Sequence, residues 1–277
     1  MPRVYLDQDA LIRLGRRNPD GDVAEVRRRI EARELTLVLS TAHWLDTAGG
    51  NSDENSRQLA RFIDLLGPRW LKERLNLFHL EIHDFLHGIP FESTWEHAVL
   101  STVTETVAEI AGTVGGGAAI VDTEAIVMEL RHNPRALEVF ANTYATTERN
   151  AEANRRAYRQ RRITLEIEQR VQALAFQRFA HVAPGSDEER RLREAPTEAF
   201  RALSCEWEAT REYWRQSAGM TPNRLRDLFH LAVALPYTDV ILTYDEQLRL
   251  TMNEVAGRVG FHVSRVVTNM AELLAIH

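Results

Sequence analysis

Four aspartates fall where an α/β fold would gather them. Asp7 closes the strand-like "RVYLD", and Asp46 ends "STAHWLD", just past the apolar run "LTLVLS". Asp227 opens the helical run "DLFHLAVAL", and Asp245 follows the strand-like "VILT". In an open parallel sheet the strand ends meet in a crevice along the C-terminal edge. With the first and fourth strands adjacent, Asp7 and Asp245 face each other, and Asp46 and Asp227 point inward from helix starts at either rim. Clustered carboxylates repel, and their pKa values rise unless positive charge is supplied. Hard divalent cations supply it through oxygen ligands, with Mg²⁺ usually keeping several waters and taking substrate phosphate directly. Such a site activates water and stabilises the developing charge of a phosphodiester. Any one of these acids alone reads as well as a helix cap. Four in register with one topology point to metal chemistry, with Asp7, Asp227 and Asp245 as the ligands.

The elements that must position them are legible in outline. "RVYLD" reads as the first strand, "ALIRLGRR" and "VAEVRRRIEA" as helical runs broken at "NPDG", and "LTLVLS" as a strand buried on both faces. "ENSRQLARFIDLLG" reads as a helix stopped by Gly67-Pro68, and "RLNLFHLEI" as a third strand. From about Trp95 to Met220 nearly everything reads as helical, with Leu203, Trp207 and Trp214 as one buried stripe. The α/β pattern resumes at "TPNRLRD", with strands "VILT" and "HVSRVV" and a terminal helix "NMAELLAI". The expectation is an α/β core from residues 1–90 plus 222–277, split by a helical insertion over 91–221.

These segments resemble the PIN-domain nucleases. That family places an Asp at the end of a first strand, a Ser with an acid six residues on, an Asp opening a helix, and a strand running into Thr-x-Asp. Here the matching residues are Asp7 in "VYLD", Ser40 and Asp46 in "STAHWLD", Asp227 in "DLFHLAVAL", and Thr243 and Asp245 in "LTYD". The resemblance covers roughly 1–90 and 222–277, and the insertion matches nothing in it. It implies a three-layer α/β sandwich with a parallel sheet of order 3-2-1-4-5, Mg²⁺ or Mn²⁺, and hydrolysis of single-stranded or structured RNA. It also implies a homodimer, and in the toxin–antitoxin members a protein inhibitor. One departure is the second acid, usually Glu and here Asp46, whose side chain reaches one methylene less far.

Residues around the acids extend the expectation. Asp9 reads as the N-cap of the first helix, whereas the resemblance puts a small polar residue there near the metal. Thr243 is placed to orient Asp245, and Asn223, one turn ahead of Asp227, is placed as a partner or a cap. Arg226 suits bidentate phosphate contact, although a solvated arginine needs no such role. "RRAYRQRR" offers Arg155, Arg156, Arg159 and Arg162 around Tyr158, a track for phosphates and one stacked base, or an ordinary charged helix face. His79, His83 and His87 recur every four residues, a spacing that admits zinc.

Bulk properties narrow the classes. The chain has 277 residues, 44% apolar and 27% charged, with net charge −6, the composition of a globular protein. Residues 131–193 hold 13 arginines against 8 acids, a local basic excess within an acidic whole. Lys72 is the single lysine, so the Gly-rich "GTVGGGAA" has no P-loop lysine and reads as a linker. Cys205 is the single cysteine, which excludes an internal disulfide and a cysteine-rich zinc site. No apolar run reaches signal-peptide or membrane-span length, so a cytoplasmic location is expected. Two other functions compete with the nuclease. "YLDQDAL" carries the Asp-x-Asp of a haloacid-dehalogenase-like phosphatase, with Asp7 as nucleophile and Asp9 as acid/base, although that chemistry wants a nearby lysine and leaves Asp227 unexplained. The fold also serves as a non-catalytic RNA- or protein-binding scaffold if the acid site is degraded.

Overall fold

A computed structural model describes residues 1–16, 18–19, 21–100, 102–114, 122–133, 182–215 and 222–276. The protein is α/β. Strands β1 (Arg3–Leu6), β2 (Thr36–Leu39), β3 (Arg69–Leu71), β4 (Val99–Leu100), β5 (Val240–Leu242) and β6 (Arg265–Val267) form one sheet of order β4-β3-β2-β1-β5-β6. All pairs are parallel except β3 with β4. The sheet thus differs from the expected five-strand order by an antiparallel edge strand and by the identity of its third strand.

Period-two alternation divides the strand side chains between two cores. Val4, Leu6, Leu37, Leu39, Trp70, Val240 and Leu242 enter one. Tyr5, Val38, Leu71 and Ile241 enter the other. The first core is covered by α1 (Gln8–Leu14), α2 (Gly21–Glu31), α4 (Asp53–Leu66), α8 (Thr123–His132) and the terminal α13 (Met270–Leu274). The second is covered by α5 (Arg74–His87), α10 (Arg201–Arg215), α11 (Pro222–Tyr237) and α12 (Glu246–Ala256). Helices on both faces explain why β1, β2 and β5 read as continuous apolar runs.

The segment expected as a third strand is helix α5. Its buried Leu77, Phe78, Glu81 and Ile82 follow a helical spacing, the Glu73 carboxylate accepts from the Leu75 amide at 2.7 Å, and Gly88 closes it at φ 68°. The true β3 is three residues long, too short to show a period. On this helix the His83 and His87 rings stack at 4.1 Å, and His87 Nδ1 bonds the His83 carbonyl at 2.7 Å.

The region beyond residue 90 also holds more than helices. Strand β4 pairs with β3, and α10 packs on α11 and α12. The buried stripe of α10 is Ala202, Cys205, Ala209 and Tyr213 rather than Leu203 and Trp207, and the Trp214 side chain lies outside the described residues. Leu203 and Trp207 are half-buried at its margin. Small side chains at three of the four stripe positions let α10 approach its neighbours closely, a contact that a search for large apolar residues overlooks.

Glu81 is buried beneath this contact. Its Oε1 accepts from the Ala202 amide at 2.7 Å and from the Tyr237 hydroxyl at 2.6 Å, and its Oε2 has no partner among the described residues. Burial pushes its carboxyl up to about 7, against the opposing effect of those bonds. A raised folded-state pKa means that stability is fully present below the unfolded value near 4.5 and is lost as pH rises through about 7. Glu81→Gln is therefore expected to flatten the pH dependence, gaining about 3 kcal/mol relative to wild type between pH 4.5 and 8 in urea titrations. Equal slopes for the two proteins would refute that assignment.

Candidate acidic site at the sheet edge

The C-terminal ends of β1, β2 and β5 lie side by side. The Asp7 amide donates to the Leu242 carbonyl at 3.0 Å, and the Thr243 amide to the Val267 carbonyl at 3.1 Å. Asp7 is buried at the start of α1. Its Oδ1 accepts from the Ala10 amide at 2.8 Å and its Oδ2 from the Tyr244 amide at 2.8 Å, and the Thr243 hydroxyl also bonds it. Burial raises its pKa, and these three bonds oppose the rise. Asp7, not Asp9, is therefore the cap of α1, and Asp9 is exposed in the first turn. Across from it, Asp245 is exposed and caps α12, accepting from the Leu248 amide at 2.8 Å. Thr243 is buried, and its Oγ1 accepts from the Asp245 amide at 3.0 Å. One threonine thus ties the two strand-end acids together.

Asp227 does not open its helix. Helix α11 starts at Pro222, which places Asp227 in the second turn and Asn223 in the first. Proline at the first helical position, where its missing N–H costs nothing, marks the start ahead of the acid. The backbone of Asn223 is described and its side chain lies outside the described residues. Asp227 is half-buried, and its carboxyl is pushed up to about 7 by burial, then by the charge of Asp245, with Asp46 adding to the rise and His230 and Arg226 opposing it. From α10, Tyr213 is buried within electrostatic reach of Asp227 and Asp245, and burial with those charges raises its phenol.

Asp46 has a different environment. It lies in the short helix α3 (Ala42–Ala48), and its Oδ1 is 2.9 Å from Arg226 Nη1 while its Oδ2 is 2.7 Å from His230 Nε2. Burial pushes its pKa up, but the His230 hydrogen bond and the charges of His230 and Arg226 bring it below the usual carboxylate value. Arg226, expected to hold substrate phosphate, is thus ion-paired with Asp46. Behind the pair, His230 Nδ1 meets the Tyr5 hydroxyl at 2.5 Å, and Tyr5 meets Ser40 Oγ at 2.6 Å. His43 spans the strand ends, donating from Nε2 to the Leu6 carbonyl at 2.8 Å and accepting from the Ser40 amide at Nδ1, 3.1 Å. Burial, then the charge of His230, lowers its pKa to about 3, so it acts as a neutral bracket.

The edge thus contains two sets of acids. Asp7, Asp227 and Asp245 gather around Thr243 without a described ion pair, whereas Asp46 is ion-paired with Arg226 and hydrogen-bonded to His230. Among the described residues no group of three or more His, Cys, Asp or Glu side chains is arranged to hold a metal ion. A Mg²⁺ site needs only one or two carboxylates beside waters and substrate phosphate, and the charge that raises Asp227 fits such a site on Asp227 and Asp245. Asp7 lies on the neighbouring strand end with its oxygens engaged by the Ala10 and Tyr244 amides and the Thr243 hydroxyl. Arg155, Arg156, Arg159 and Arg162 lie outside the described residues. Arg131, the first arginine of the basic window, is described and serves the fold, pairing with Asp53 at 2.5 Å and bonding the Ala48 and Gly50 carbonyls at 2.6 Å. Tyr5, His43, His230 and Tyr213 were not anticipated. His43 and His230 each fall three residues from an acid, one helical turn, and that spacing was their only signal.

No match to this chain is found among family models, curated proteins or solved structures. Among the described residues no helix is long and apolar enough to cross a membrane. The fold and site together define an α/β protein with an acidic crevice at the C-terminal edge of its parallel strands.

Proposed function

We propose that the protein is a PIN-like, metal-dependent nuclease that hydrolyses phosphodiester bonds of RNA with Mg²⁺ or Mn²⁺. What supports this reading is the gathering of acids at the C-terminal ends of adjacent parallel strands, with Asp7 and Asp245 tied through Thr243 and the charge of Asp245 raising the Asp227 carboxyl, a cluster that a divalent cation would relieve. Asp227 and Asp245 would hold the cation, with Asp7 on the neighbouring strand end adding negative charge to the site. A divalent cation bound there would supply positive charge to the phosphoryl oxygens and acidify a water. The chain's own residues then orient and exclude. Thr243 fixes Asp7 relative to Asp245, and Tyr213 closes the side of the crevice toward α10. Asp46 acts through position, holding Arg226 and His230 on α11 at the crevice rim.

The reading is tested by calorimetric titration with Mn²⁺. Wild type is expected to bind, and Asp227→Asn to weaken binding at least about 10-fold. Equal affinities would reject Asp227 as a ligand. The engagement of Asp46 by Arg226 and His230 favours a second reading, a non-catalytic PIN-like scaffold binding RNA or protein. A scaffold binds its partner unchanged in Asp227→Asn.

A further inference from the structure

A cleft of about 510 Å³ opens beside the acid crevice, between α1, α3 and α4. That volume is in the range of small-ligand sites. Asp46 lines the cleft and Gln8 follows Asp7 in the chain, so the cleft neighbours the acidic edge. Its walls are rich in carboxamides. Gln8, Asn51, Asn55 and Gln58 all line it, and Phe62 lies among them. No lysine or arginine is among the lining residues, so the cleft lacks the charge that a phosphate would need.

The hydrogen-bonding capacity of these amides is largely unused. Gln8 Nε2 donates to Thr47 Oγ1 at 3.2 Å, yet its Oε1 is buried with no partner among the described residues. The carboxamides of Asn51 and Asn55 make no bond to another described residue. Gln58 donates to Glu54 at 2.6 Å and keeps its own oxygen. The Phe62 ring has the Arg27 guanidinium 5.1 Å from its centroid and is almost fully buried, so it is a fixed apolar surface. The cleft wall is also rigid. The Gly50 carbonyl is held by Arg131 at 2.6 Å, and Ser56 Oγ donates to the Thr47 carbonyl at 2.7 Å.

Uncharged amides around an apolar floor of Ile12, Leu59 and Phe62 match a neutral, flat, polar-edged group. We propose that this cleft takes up an unstacked nucleobase of single-stranded nucleic acid, placing the adjoining phosphate at the acid crevice. The inference rests on the nuclease reading and adds to it a specificity-determining pocket. Adenine is the base it should favour. Asn and Gln carboxamides pair bidentately with two of its edges at once, N6–H with N1 and N6–H with N7, whereas cytosine and uracil each offer a single such edge. Single-stranded substrate follows, because a base paired in a duplex is not free to enter.

The test separates binding from cleavage. Fluorescence anisotropy in EDTA would compare labelled hexanucleotides of adenine, cytosine and uracil RNA on wild type and on the double variant Asn55→Ala with Gln58→Ala. Both residues are exposed on α4, so the variant should fold. Wild type is expected to bind the adenine hexamer at least about 10-fold tighter than the others, and the double variant to bring the three within about 2-fold. No binding, equal affinities in wild type, or an unchanged preference in the variant would overturn the proposal. Cleavage with Mn²⁺ but without base preference would overturn the pocket alone. Adenine-selective binding without cleavage would keep the pocket and remove the nuclease.

Discussion

Asp227→Asn is expected to abolish RNA cleavage while making the folded protein more stable at neutral pH. The two effects have one cause. Burial and the neighbouring charge of Asp245 push the Asp227 carboxyl up to about 7, so its ionised form costs free energy in the folded state. The folded protein holds a proton there that the unfolded chain releases above about 4, and stability falls as pH rises through about 7. Asparagine removes that loss. The gain at pH 8 is about 1–2 kcal/mol, reduced from the fully buried case because Asp227 is partly open to solvent. Chemical denaturation at pH 5 and pH 8 checks it, and the variant should gain only at the higher value. The same substitution removes a charged ligand, and cleavage should drop by more than about 100-fold. A site that is stabilised by losing a residue and inactivated by the same loss is the signature of strained functional charge. A variant less stable at pH 8 than wild type would show that Asp227 is structural.

Asp46→Ala should act in the opposite direction on stability. Asp46 pairs with Arg226 and hydrogen-bonds the buried His230, and its removal leaves both without that carboxylate in a poorly hydrated place. Breaking one side of a buried pair is strongly destabilising, and the expected cost is about 3 kcal/mol. The damage should spread, because His230 also meets Tyr5 and through it Ser40 at the end of β2. Urea unfolding of Asp46→Ala and Asp46→Asn measures it, with the Asn variant less affected because it retains an acceptor. A cost below about 1 kcal/mol for Ala would mark the interaction as an exposed surface pair.

The positions of the acids were legible in the sequence because they follow topology. Strand ends and neighbouring helices fall at one edge of a parallel sheet whatever the details of packing. Which acids remain unpaired was not legible. Asp46 read as a fourth member of one cluster, since nothing in "STAHWLD" announces an arginine and a histidine 180 and 184 residues later in the chain. The helical pitch hid α5 as well, because "RLNLFHLEI" satisfies period two over its first residues and period 3.6 over its whole length. Strand β4 escaped notice because two residues carry no periodicity. Tyr213 escaped because its partners, Asp227 and Asp245, lie on other elements and only packing of α10 brings it to them.

The most direct test of the account is cleavage of a mixed panel of single-stranded and folded RNAs by wild type and Asp227→Asn, each with Mg²⁺, Mn²⁺ or EDTA. The account predicts cleavage by wild type that requires the divalent ion and is lost in the variant. Cleavage that persists in EDTA, or equally in Asp227→Asn, would contradict it.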